Sequence, residues 1–286
     1  MNDDEKQVEF DRLVKQIVEK ILRQETESIE AARGLLEQTR LDVIAKLAEG
    51  GRTEWDYSWL RQVQAALGTR IERLNRELEL RMNQDINKVF DLANQLVDEP
   101  AKVLIGTSPV LGVSREVAQV AASFSATMIK DLTSSAQVAI DGVIQRAAVG
   151  GLTVQDAIKQ IGSSLDDSKF GPIAARAERI FRTEVLRVQS IATQARMQVN
   201  KDAMRRAGWA LGKRWLATID KRARLSHVIA MGQEREVEQP FIVGGEELMY
   251  PRDPNGSASL TINCRCVSSP TVQKIFKLDR TTKFER

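Results

Sequence analysis

Apolar side chains return every three or four positions through most of the first two hundred residues. That is the period of a helix with one buried stripe. Over residues 4–49 the stripe runs Phe10, Leu13, Ile17 and Ile21, backed by Val14, Val18 and Leu22. Gly50-Gly51 breaks it. The same rhythm resumes over 54–99, from Trp59 through Leu67, Leu74, Met82 and Val89 to Leu96, where Pro100 is expected to stop it. Two long amphipathic helices across a short break predict an antiparallel hairpin. Each carries a single stripe, so the pair needs a third partner: the rest of the chain, another copy, or a different protein.

Residues 101–113 read as a loop, and Ser114 as the N-cap of a helix to about Val149. That helix is crowded with Ala, Ser, Thr and Val, which suits a buried bundle helix or, alternatively, an exposed assembly face. Thr153 with Asp156 forms a capping-box pattern for a short helix ending by Gly162. A loop over 163–171 comes next. Pro172 then opens a helix to about Ala207, with Ile180, Phe181, Val185, Val188, Ile191 and Ala195 as its inner stripe.

After Gly208 the pattern changes to alternation. Trp215, Ala217 and Ile219 share one side of a strand over 213–220. Glycines and prolines then punctuate the chain until "SLTINCRCV", which reads as a second strand with Leu260, Ile262, Cys264 and Cys266 on one face. Asn263 and Arg265 take the other face. The fold class expected is α+β, a long-helix N-terminal region (hairpin and bundle) followed by a small C-terminal α+β domain with a short sheet. The expected divisions are 1–100, 101–170 (helical connector), 171–270 and a tail over 271–286.

Charge adds an asymmetry. The net charge is +3, but residues 1–180 carry 23 Lys/Arg against 28 Asp/Glu, and residues 181–286 carry 19 against 11. A basic last third suits nucleic acid or an acidic partner, or is a solvated surface. The acidic start predicts no signal peptide. The longest uncharged stretches, 103–114 and 117–129, fall short of the roughly 18 apolar residues a membrane span needs. Two cysteines make no disulfide framework, and synthesis in a reducing cytoplasm is expected.

Three groups of residues carry candidate chemistry. Cys264 and Cys266 are the chain's two cysteines and His227 its single histidine. Inward packing of both thiols is the simplest reading. A zinc site is the minority reading, held by His227, Cys264 and Cys266 with or without Asp220. The second group, Asp220, Arg222 and Arg224, alternates along one segment, as a brace and an anion contact or as a charged turn. The third, "FRTEVLR" over 181–187, places Glu184 and Thr183 on a helix face with Arg187.

In order along the chain stand Arg182-Thr183-Glu184, Trp215, Asp220-x-Arg222-x-Arg224-x-x-His227, Gly232-Gln233, Phe241, Pro251 and Asn263-Cys264-Arg265-Cys266. This series, over roughly residues 145–270, resembles the phage head-morphogenesis family, the Mu F-like minor head proteins. Ala223 stands where that family usually has Thr between the two arginines. The resemblance implies a minor head protein of a tailed phage, inside the capsid near the portal and present in the host cytoplasm during assembly. It implies roles in head assembly, DNA packaging or ejection. The implied partners are the portal protein, the major capsid or scaffolding protein, packaged double-stranded DNA and further copies of the chain.

Some relatives carry C-terminal toxin domains, and the 20 or so residues after the motif are expected to be too few for one. Under this reading Arg205, Arg206, Lys213, Arg214, Lys221, Arg222 and Arg224 are the expected phosphate contacts, and no cofactor is needed. The family domain has also been compared with ADP-ribosyltransferase-like and nuclease-like folds. That leaves an alternative in which Arg182, Glu184 and His227 are catalytic.

Overall fold

The structure, a computed structural model, describes residues 1–49, 57–107, 114–149, 151–165 and 172–275. Long helices come first: α1 (Asp3–Ala48), α2 (Tyr57–Ile105), α3 (Glu116–Ala148), α4 (Val154–Leu165) and α5 (Pro172–Arg206). Short elements come after them: β1 (Trp209–Leu216), α6 (Leu225–Ile229), β2 (Glu234–Glu236), β3 (Phe241–Val243), β4 (Glu246–Leu248), α7 (Ala258–Thr261) and β5 (Val267–Lys274). The chain folds as two compact units that cut across the expected sequential divisions. One joins Arg23–Val89 with Glu116–Leu186, and the other joins Met1–Leu22, Phe90–Arg115 and Arg187–Arg286.

The first unit is helical. Gln24 donates to Asp85 at 2.9 Å, Arg81 donates to the Glu27 carbonyl at 3.4 Å, and Arg70 pairs with Asp42. One partner's number rises as the other's falls, so α1 and α2 run antiparallel, as the sequence predicts. The third partner is the chain itself. Gln64 bonds Asp141 and Thr133 bonds Asn75, which sets α3 antiparallel to α2. Arg33 pairs with Glu178 and Arg182 with Glu25, which sets α5 antiparallel to α1. The result is an up-and-down four-helix bundle. Its stripe residues Leu67, Leu74 and Leu78 are fully buried, each contributing about 1.5–3 kcal/mol. On α3, Ile129, Leu132 and Ile140 are buried while Val120, Phe124 and Val138 stay exposed.

Helix ends differ from expectation where packing overrides a breaker. Pro100 lies inside α2. Its missing N–H and ring clash cost about 3 kcal/mol. Burial of Ala101 and Leu104 in the further turn offsets this, and the helix stops at Gly106 with φ +75. Likewise α4 runs through Gly162. A Cβ there would meet the tip of the Ile44 side chain at 3.2 Å, so the glycine lets α4 pack on α1 without a shift of Ile44. Thr153 caps the helix, with the Asp156 N–H donating to Thr153 Oγ1 at 3.1 Å and the Thr153 hydroxyl donating to the Asp156 carboxylate at 2.8 Å. Residues 108–113 of the expected loop at 101–113, and 166–171 of the one at 163–171, lie outside the described residues.

The second unit holds the ends of α1 and α2, the last half of α5, and the sheets. β1 lies between β2 and β5, antiparallel to both, and β3 pairs with β4 as a separate hairpin. Trp215 stands opposite Ser268 and Leu216 opposite Val267. α5 is tied to this region by Gln194, which donates to the Val237 carbonyl at 2.6 Å. Arg196 forks onto Asp98 of α2 at 2.6 and 2.7 Å.

Both expected strands are corrected. β1 starts at Trp209 and ends at Leu216, so Ala217 and Ile219 lie beyond it, and Ile219 is 65% exposed. "SLTINCRCV" is not a strand. It comprises α7, a turn at Ile262-Asn263 and an irregular run to Cys266, with β5 beginning at Val267. Asn263 has φ +60, which breaks the period-2 alternation. Leu260, Cys264 and Cys266 still pack inward, but Ile262 is 39% exposed. The expected tail at 271–286 is strand as far as Lys274, and 276–286 lie outside the described residues.

Candidate functional site

Two connections from the central strand assemble the candidate site. After β1 the chain turns at Asp220, whose carboxylate accepts the Arg222 backbone N–H at 2.8 Å. The turn leads into α6, which carries His227. At the exit of α6, the Gly232 N–H donates to the Trp215 carbonyl and the Trp215 N–H to the Gln233 carbonyl, at 2.9 and 3.0 Å. α6 is thereby fastened back onto the strand. Trp215, fully buried, meets the His227 ring edge-on with centroids 5.8 Å apart, and Phe241 edge-on at 5.4 Å.

The cysteine run arrives from the other side and is held by its carbonyls. Arg224 donates to the Ile262 carbonyl at 2.6 Å, and Thr218 to the Arg265 carbonyl at 3.3 Å. One nitrogen of Arg252 donates to both the Cys264 and Cys266 carbonyls, at 2.9 and 2.7 Å. Four of the five carbonyls from Ile262 to Cys266 therefore each accept from a side chain. Arg252 is itself fully buried, has φ +67, and donates through its other terminal nitrogen to Ser190 of α5 at 2.7 Å. A buried guanidinium spread over several carbonyls fixes a loop that has no ladder of its own.

With its carbonyls held, the run turns both sulfurs toward one atom. Cys266 Sγ lies 3.2 Å and Cys264 Sγ 3.5 Å from His227 Nδ1. All three residues are buried, and their ligating atoms lie within 4.8 Å of one another. The Cys266 backbone N–H also donates to Cys264 Sγ at 3.4 Å. The two free thiols ionise unequally. A hydrogen bond from Cys266, aided by His227, holds Cys264 well below the usual thiol range despite its burial. The same bond and burial push Cys266 up. A cleft of about 80 Å³ reaches this cluster, lined also by Arg222, Arg224, Asn263 and Arg265.

Asp220 belongs to a different arrangement from the one expected for a fourth ligand. Arg265 donates to both of its oxygens at 2.6 Å. That fork, with the Arg222 N–H, keeps its carboxyl well below the usual carboxylate range. Arg265 thereby faces the Asp220–His227 segment.

The expected phosphate contacts are scattered in their surroundings. Arg205, Arg206, Lys221 and Arg222 are exposed. Arg214 pairs with Glu234 across the strands at 2.5 Å, and Arg224 is committed to the Ile262 carbonyl. Lys213 is fully buried, donating to the Met249 carbonyl at 2.7 Å and to Gln194 at 3.2 Å, so it does not face a duplex. The alternation of β1 puts it inward, on the same side as Trp215 two residues on.

Arg182, Thr183 and Glu184 are buried in the helical unit, whereas His227 lies in the other. Arg182 is bound by Glu25 at 2.6 Å and Glu178 at 2.8 Å. Sequence reasoning missed Arg252, Ser190 and Thr218. The one outward sign was a charged residue inside the turn-rich "YPRDPNG".

Comparison with known proteins adds two findings. Residues 139–269 match the family model described as Phage Mu protein F like protein. A stretch of 100 residues is 39% identical to a protein of Enterococcus faecalis (strain ATCC 700802 / V583) named NAD(+)--arginine ADP-ribosyltransferase EFV. It covers 35% of this chain and 20% of that one. The chain thus spans about a fifth of the length of that relative. No solved structure matches the chain. The matched span contains the Arg182–Glu184 helix, the Asp220–His227 turn and the cysteine run, and over these residues the chain is similar to the Mu F-like proteins.

Proposed function

We propose that the chain is a non-enzymatic structural component of the phage head, seated inside the capsid at the portal vertex, where it acts in head assembly, DNA packaging or ejection. The family match over residues 139–269 carries this reading. Arg182, which an enzyme would need free for substrate, is held between two carboxylates, and this favours a structural role. The helical unit offers Val120, Phe124 and Val138 on an exposed face of α3 as an assembly surface for the portal protein, capsid or scaffolding protein, or further copies. DNA is contacted through exposed Arg205, Arg206, Lys221 and Arg222, without sequence choice.

Co-purification with the portal protein of the same phage tests the reading. A stable complex supports it, and none under assembly conditions overturns the portal role. Duplex binding at low salt that weakens steeply with added salt supports the DNA contact, and no binding at low salt removes it.

A second reading has one observation in its favour, the likeness to the Enterococcus protein named as an ADP-ribosyltransferase. Under it Glu184 acts on a bound nucleotide. Turnover of NAD by the purified chain, lost in Glu184→Gln, supports this reading over the first.

A further inference from the structure

A neutral imidazole nitrogen offers one lone pair or one proton, so hydrogen bonding alone satisfies one sulfur at Nδ1. At His227 two sulfurs address that nitrogen, at 3.2 and 3.5 Å. A tetrahedral zinc bound by thiolates and an imidazole sets its nitrogen and sulfur ligands about 3.5 Å apart. The spacing therefore fits three ligands around a common centre. The ring has little else to bond. Nε2 is buried with no hydrogen-bond partner among the described residues, so the two sulfurs are the polar surroundings of this imidazole.

The supporting shell fits the same purpose. Arg252, Arg224 and Thr218 donate to carbonyls of the run, which fixes the backbone that carries the two sulfurs. Ligands on an irregular run need this outer layer to hold their geometry. Asp220, tied to Arg265, is not a member of the set. What completes a four-coordinate shell is the cleft of about 80 Å³, which touches all three ligands and is lined by Arg222 and Arg224.

We propose that His227 Nδ1 and the sulfurs of Cys264 and Cys266 bind one zinc-class divalent ion, whose fourth position opens into the arginine-lined cleft. Two thiolates cancel the ion's charge, and the fourth ligand is water or a small anion drawn by the arginines. Two soft sulfurs and one imidazole select zinc or cobalt over magnesium or calcium.

The test uses the full chain, purified without chelator under reducing conditions, with zinc and cobalt as probes. Elemental analysis is expected to find about one zinc per chain. Replacement by cobalt is expected to give a thiolate-to-cobalt charge-transfer band. Cys264→Ser, Cys266→Ser and His227→Gln should each weaken cobalt binding at least about tenfold. Less than a tenth of an ion per chain, with no thiolate band on cobalt titration of the wild-type chain, overturns the proposal whether or not the variants fold. Added azide or phosphate should shift the cobalt spectrum, and an unchanged spectrum rules out the open position.

Discussion

Arg265 and Asp220 stand 45 residues apart and meet in a two-pronged ion pair, both contacts at 2.6 Å. The pair joins the cysteine run to the turn before α6. Asp220→Asn should therefore lower stability at pH 7. The carboxyl's folded value is depressed, so the pair's contribution is complete above the unfolded value of about 3.9 and fades as pH falls below it. Denaturant melts of the two proteins should differ at pH 7 and converge toward pH 2. Arg265→Lys, which cannot fork, should behave like a partial loss.

Lys213 gives the opposite pH signature. Burial lowers its ammonium from 10.5 to about 8. Between those values the unfolded chain binds more protons than the folded one, so stability rises with pH. The gain from pH 7.5 to 10.5 is at most about 3 kcal/mol. Lys213→Met should flatten that rise, and urea midpoints at several pH values compare the slopes directly.

Removing Arg252 strips the donors from two buried carbonyls at once. Each unpaired group costs about 1–3 kcal/mol. Arg252→Met should cost about 3 kcal/mol or more by chemical denaturation, and it should expose Cys264 and Cys266 to a thiol reagent faster than in the wild type.

Arg182→Gln should act on stability, because it leaves Glu25 without its counter-ion and Glu178 with Arg33 alone. Breaking a buried pair from one side costs about 3–5 kcal/mol. Thermal melts check this. A variant of wild-type stability would show that the two carboxylates do not depend on Arg182.

The long helices were legible because their buried stripes persist for many turns, as with Leu67 to Leu96. Their ends were not, because Pro100 and Gly162 obey neighbours that lie far away in sequence. The cysteine run was misread because Leu260, Cys264 and Cys266 are buried with even spacing while a left-handed Asn263 interrupts the strand between them. Chain order did identify His227, Cys264 and Cys266 as related. Their convergence on one nitrogen rests on Arg252, and no periodicity marks a buried arginine between two prolines.

The Arg182–Glu25 bond joins a residue inside the matched span 139–269 to one well outside it. The span therefore completes one of its buried ion pairs with a residue from outside itself. Expressed without α1, it would carry a buried cation stripped of one of its two carboxylates. Kept at that depth, the cation would then rest on Glu178 alone.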